Sequence, residues 1–175
     1  MPSMEIWMLE SLKTLYMNEI KTPRDKKILW EFIFRSRQMN KKNILYIGIE
    51  LDNESHKILK RATGKRNGWK QYCRTMILIY NTKRLPEIPL SSSEESWVES
   101  NLGKEITIIG YAIGESDKSR ALRVMVEAPC KTKFKHITLE TNQEIGGKPA
   151  DSNKITSWKL ICPIILTGRV STWYM

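Results

Sequence analysis

Glu105-Ile-Thr-Ile-Ile-Gly-Tyr-Ala-Ile113 and Arg120-Ala-Leu-Arg-Val-Met-Val-Glu-Ala128, separated by Gly114-Glu-Ser-Asp-Lys-Ser119, decide the class of the fold. Both runs are rich in β-branched residues, and the segment between them has the length and chemistry of a hairpin with a longer loop. In the second run Leu122, Val124 and Val126 alternate with Arg123, Met125 and Glu127, so one face turns inward and the other is wetter. That alternation belongs to antiparallel pairing with one covered face.

Working outward toward the C-terminus, Lys133–Thr141 alternates in the same way, with Phe134, His136, Thr138 and Glu140 opposite Lys135, Ile137 and Leu139. Gly146, Gly147, Pro149 and Asp151-Ser-Asn153 predict a long loop. Thr156–Cys162 and Ile164–Thr167 are expected to be strands broken at Pro163, and Val170–Tyr174 ends the chain in an aromatic cluster. Toward the N-terminus, Ser93-Glu94-Glu95-Ser96 resembles a helix start after the Pro86 and Pro89 loop, and its serines among acids are conceivable phosphorylation sites. Ile44–Leu51 alternates as a strand with Leu45, Ile47, Ile49 and Leu51 on one face, and Gly48 marks a bulge or a close approach. His56–Thr63 is predicted to be a short helix and Gly64–Gly68 a loop. Trp69, Tyr72, Cys73, Met76 and Tyr80 fit one face of a further helix. Residues 3–20 and 22–39 carry helical apolar stripes, the first through Met4, Met8, Leu12 and Leu15, the second through Ile28, Leu29, Phe32 and Ile33. The expected fold is α+β, a single domain over 1–175, with a helical N-terminal region 1–43 followed by an α+β core 44–175 whose later half is mostly antiparallel β.

The 175 residues carry a net charge of +10, and that charge is concentrated. From Ser55 to Leu85 there are nine cations and no Asp or Glu. Acidic bands flank them: Glu50, Asp52 and Glu54 before, and five glutamates against Lys104 over 87–105 after. An uncompensated basic stretch is a footprint for a polyanion, either RNA or an anionic membrane face. Lys57, Lys60, Arg61, Lys65, Arg66, Lys70 and Arg74 are the candidate contacts, with Lys65 and Arg66 foremost because a glycine-bounded loop adapts to a phosphate. Trp69 is placed to stack on a base or lie at headgroup level. Lys131, Lys133 and Lys135 form a secondary basic patch if they lie on one strand face. Neighbouring bands of opposite charge either draw copies together into a homo-oligomer or compensate each other within a monomer.

Catalysis has no signature here. His56 and His136 are the only histidines, and Cys130 with His136 is two ligands short of a zinc site. Nucleotide-binding, nucleophile-elbow and metalloprotease motifs are absent. No catalytic residue, metal, cofactor or small-molecule substrate is therefore expected. Three scattered cysteines suggest a reducing compartment. Met1-Pro-Ser-Met-Glu-Ile-Trp7 lacks the pattern of a signal peptide, and no apolar run approaches the ~20 residues that span a bilayer. Any membrane contact is expected to be peripheral.

The strand Ile44–Leu51, the turn Gly64-Lys65-Arg66 and the apolar segment Trp69–Ile79 resemble the strand, Gly-Lys-Arg turn and apolar helix of rhabdovirus matrix proteins. The length and basicity are similar to those of the small plant-virus members, of cytorhabdovirus type. No Pro-Pro-x-Tyr motif accompanies them. The resemblance implies a non-enzymatic structural protein of virion and host cytoplasm. It would self-associate, condense the viral nucleocapsid and link it to the inner face of a membrane for budding. A small basic RNA-binding protein, such as a viral silencing suppressor or movement protein, would use the same cations on free RNA.

Overall fold

A computed structural model describes residues 43–64 and 66–174. The stripes at 3–20 and 22–39 lie outside the described residues, as does the side chain of Lys65.

The described residues form one sheet-rich domain. In chain order they are β1 (Ile44–Leu51), α1 (Asn53–Thr63), β2 (Trp69–Gln71), β3 (Thr75–Tyr80), α2 (Ser92–Asn101), β4 (Glu105–Glu115), β5 (Ser119–Met125), β6 (His136–Asn142), a 3₁₀ helix (Pro149–Lys154) and β7 (Trp158–Tyr174). The seven strands make a single sheet in the order β2-β6-β5-β4-β7-β1-β3, antiparallel at every pairing. The predicted hairpin is β4–β5. At the turn its strands run further than expected and leave Ser116–Lys118, where the Ser116 hydroxyl accepts from the Ser119 N–H at 3.1 Å, whereas β5 ends at Met125, short of the expected Ala128.

Trp69–Tyr80 is not a helix. It is β2 and β3, joined by Tyr72–Arg74, with Met76 and Leu78 buried and Thr75 and Ile77 half-buried. The β-branched and aromatic run 75–80 satisfies period 2 as well as period 3.6, and a short apolar run does not discriminate between them. β2 and β3 occupy opposite ends of the strand order, so this short link draws the sheet round on itself. Tyr72 N–H donates to Leu139 O (2.8 Å) and Cys73 N–H to Thr138 O (3.1 Å), on the β6 side. Leu51 N–H donates to Arg74 O (2.8 Å), on the β1 side. Cys73, at φ 52°, is the residue at which the chain changes partners.

β7 is also one strand, not two. Opposite β4, Leu160 pairs with Ala112 and Ile164 with Gly110, leaving Ile161, Cys162 and Pro163 facing Tyr111 alone. Pro163 therefore sits in a bulge, where its missing N–H breaks no ladder bond. Gly48 fulfils both expectations: the β1–β3 register shifts at Ile47/Gly48, and a Cβ there would lie 2.5 Å from Met76 O. In β1 the buried apolar face is Ile44, Ile47, Ile49 and Leu51, because an irregularity between Ile44 and Tyr46 turns Leu45 only partly inward. Met76, Leu78, Ile108, Leu122, Ile137 and Leu166 are buried with them in the interior. At about 1.5–3 kcal/mol for each fully buried aliphatic side chain, this interior is the main stabilising element.

Candidate polyanion-binding surface

α1 begins at the Asp52 N-cap, whose carboxylate accepts from the Ser55 N–H at 2.7 Å. Ser55, Leu59 and Thr63 face inward, and the Ser55 hydroxyl accepts from the Thr167 N–H at 2.8 Å, which ties the helix to β7. Lys57, Lys60 and Arg61 consequently fall on exposed positions. Lys57 Nζ is 4.0 Å from Glu54 on the same helix, a solvent-exposed pair of little strength. Lys60 and Arg61 have no carboxylate partner among the described residues and also complement the helix C-terminus. Lys70 is exposed too, its ammonium 5.4 Å from the Tyr72 ring centre.

Two further candidates, Arg66 and Arg74, are engaged elsewhere. Arg66 makes a two-pronged pair with Glu115, Nη1–Oε1 at 2.8 Å and Nη2–Oε2 at 3.1 Å, and its Nε is 3.3 Å from Glu140. Arg120 adds to the same cluster, with Nη1 3.5 Å from Glu140 and Nε 3.6 Å from Glu115. Cross-strand register assembles this ladder: Glu115 is opposite Arg120 on β4–β5, and Arg120 is opposite Glu140 on β5–β6. Glu140 is fully buried beneath the two guanidiniums. The hydrogen bond from Arg66 holds the Glu115 carboxyl below its ordinary 4.5 despite the opposing effect of burial, and the same bond raises Arg66. Trp69 is half-buried on β2 with the Arg66 guanidinium 5.1 Å from its ring centre, so the ring face is already used on that side. Arg74 Nε is 2.9 Å from Glu50. The basic stretch thus does have counter-charges, supplied from β1, β4 and β6.

Lys131, Lys133 and Lys135 do not share a strand face, because β6 begins only at His136. Lys131 reaches Pro89 O at 2.8 Å and Glu94 at 3.2 Å, at the start of α2. Lys135 Nζ donates to Val126 O at 2.8 Å. Lys133 lies 5.1 Å from the Phe134 ring centre, beside Arg123, whose guanidinium is 4.7 Å from Phe134 and 5.6 Å from Trp158. Phe134 and Trp158 meet edge to face at 5.8 Å. Sequence reasoning missed Arg123 and Trp158 as members of this patch. Arg123 was visible as a polar residue on the wetter face of its strand, but Trp158 joins it only through the fold.

The remaining reactive groups are occupied locally. Cys73 Sγ donates to Leu139 O at 3.2 Å, and burial pushes its thiol up, so the cysteine beside the cations is structural. Cys130 Sγ lies 2.9 Å from Thr132 Oγ1, whereas His136 Nδ1–H donates to Phe134 O at 2.8 Å, so the nearest sequence pair of metal-type ligands has other partners. Ser91 caps α2 in a reciprocal capping box with Glu94, which gives the serine-acid cluster a structural role. Among the described residues no helix is long and apolar enough to cross a membrane. No protein-family model matches the chain, and no curated protein matches it in sequence.

Proposed function

We propose that this chain is a viral matrix protein of the rhabdovirus type, which self-associates, condenses a ribonucleoprotein nucleocapsid and links it to the inner face of a membrane during assembly and budding. The observation that carries this reading is the outer side of α1. Lys57, Lys60 and Arg61 are held outward by a helix that is capped at Asp52 and anchored through Ser55. A fixed helix spares the backbone ordering cost of phosphate contact and leaves only the side chains of these cations to be ordered, and such contacts carry little sequence information. That suits a structural protein that covers a nucleocapsid and also meets anionic lipid. The apolar helix after Gly64-Lys65-Arg66 in the animal-virus proteins has β2 and β3 in its place here, so the reading rests on the cationic surface and not on that element.

Co-sedimentation with RNA and with phosphatidylserine-containing vesicles, at about 50 and about 200 mM salt, tests it together with sedimentation velocity over a range of protein concentration. The expected result is salt-sensitive binding to both ligands and concentration-dependent polymerisation, with K57E/K60E/R61E weakening both contacts by about tenfold or more. A stable monomer that ignores vesicles and RNA would refute it.

A further inference from the structure

Leu160-Ile-Cys-Pro-Ile-Ile165 opens the nine-residue uncharged run Leu160–Gly168, and the bulge pushes part of it out of the ladder. Leu160 is 76% and Ile165 70% exposed. Ile165 is opposite Ile109, and Ile109 is opposite Met125, which is 56% exposed, so the apolar surface continues across β7, β4 and β5. Scattered exposed aliphatics are ordinary, but adjoining ones on three neighbouring strands mark a covered surface.

The charge around the patch identifies what covers it. Neither β5 nor β7 contains an Asp or Glu, and the two glutamates of β4 stand at its ends, Glu105 opposite Arg169 and Glu115 paired with Arg66. Arg123 is opposite Ala112 and Ala112 is opposite Leu160, so the Arg123 guanidinium, against the Phe134 and Trp158 rings, lies on the Leu160 face, where exposed Lys133 meets the same Phe134 ring; Lys159 points to the other face. Glu127, the nearest acid along the chain from Met125, falls beyond the end of β5. A twofold contact between copies centred on Leu160 and Ile165 would gather Arg123 and Lys133 of both around one apolar core, with no carboxylate on β5 or β7 to offset them. RNA stacks on aromatic faces and gains little from aliphatic side chains. An anionic bilayer interface suits the whole arrangement. Aliphatic groups enter the acyl boundary, a tryptophan lies at the headgroups, and cations meet the lipid phosphates.

We propose that the β7 bulge is a wedge that inserts into the interfacial layer of an anionic membrane, with Leu160 and Ile165 entering the lipid and Arg123 and Lys133 on the headgroups. It deepens the membrane-linking part of the function proposed above and rests on it. Cys162, at the bulge, is exposed, whereas Cys73 is buried. In the full chain carrying C130S, a nitrobenzoxadiazole label on Cys162 therefore reports on the wedge directly. With phosphatidylcholine vesicles containing phosphatidylserine, its emission shifts to the blue and is quenched by shallow spin-labelled lipids; with phosphatidylcholine alone it does neither. L160E/I165E, at positions that are already exposed, lowers vesicle partitioning by about tenfold or more and leaves thermal unfolding and RNA binding unchanged. Vesicle binding with a silent label and no effect of L160E/I165E overturns the wedge and leaves the membrane-linking function standing. An unsubstituted chain that binds no vesicles overturns both. Loss of self-association in L160E/I165E with vesicle binding intact makes the patch an interface between copies and overturns the wedge.

Discussion

Arg66 and Glu115, 49 residues apart, face each other through two hydrogen bonds at 2.8 and 3.1 Å, and the same guanidinium lies over buried Glu140. A cation this committed stabilises the domain and has little left for a phosphate. R66A should cost about 1–3 kcal/mol in urea unfolding, because Glu140 keeps only the longer contact with Arg120. RNA affinity should stay close to that of the unsubstituted chain. K60E/R61E should do the reverse, with stability nearly intact and binding lost. A large drop in RNA affinity from R66A at unchanged stability would return Arg66 to the contact surface.

Stability should fall in two stages on acidification. Burial holds the His136 imidazole below its ordinary 6.5, with the hydrogen bond to Phe134 O opposing it. A depressed folded value favours the folded state fully above 6.5, and that contribution is lost as pH drops from there through the lower folded value. Glu115 follows the same sign at a lower range: its contribution is complete above 4.5 and is lost as pH falls through the value set by Arg66. Urea midpoints measured from pH 8 to pH 3 should show both stages. H136Q should remove the upper one. E115Q should shrink the lower one without abolishing it, since Asp151 is also held below its ordinary value.

Gly48 is required by close approach. A Cβ would stand 2.5 Å from Met76 O on β3 and 3.3 Å from the Trp173 ring, which stacks on Tyr46 at 4.6 Å. Backbone cannot yield as a flexible side chain does, so G48A should destabilise by about 1–3 kcal/mol. Thermal unfolding measures it, and a neutral result would mean that β1 and β3 separate without cost.

The three thiols should react in a fixed order. Cys162 is exposed, Cys130 partly covered, and Cys73 buried with its thiol donating to Leu139 O and pushed up by burial. A chromogenic disulfide reagent at pH 8 should titrate Cys162 first, and Cys73 only as the protein unfolds. Early reaction of Cys73 would show that the β2–β3 link opens.

The elements whose signals are local were legible. β1 declares itself by alternation, α1 by Asp52 before a charged amphipathic segment, and the β4–β5 hairpin by two β-branched runs around a polar turn. The segment 69–80 was not, because its apolar residues satisfy two periods and the deciding hydrogen bonds come from Thr138, Leu139 and Leu51. Pro163 misled for a related reason. A proline interrupts a strand only where its N–H would be used, and the bulge against Tyr111 removes that need.

The same division runs through the candidate site. Composition and order alone determined that this chain is strongly basic, that its cations cluster over 55–85, and that its later half is antiparallel β. Which cations remain available was decided by tertiary structure. Arg66 and Arg74 meet Glu115, Glu140 and Glu50 across strands, whereas Lys60 and Arg61 project from a helix with no carboxylate partner among the described residues. Propensity and alternation act within a few residues, but the neutralisation of a charge depends on which strand register brings a carboxylate to within about 4 Å, and register belongs to the sheet as a whole.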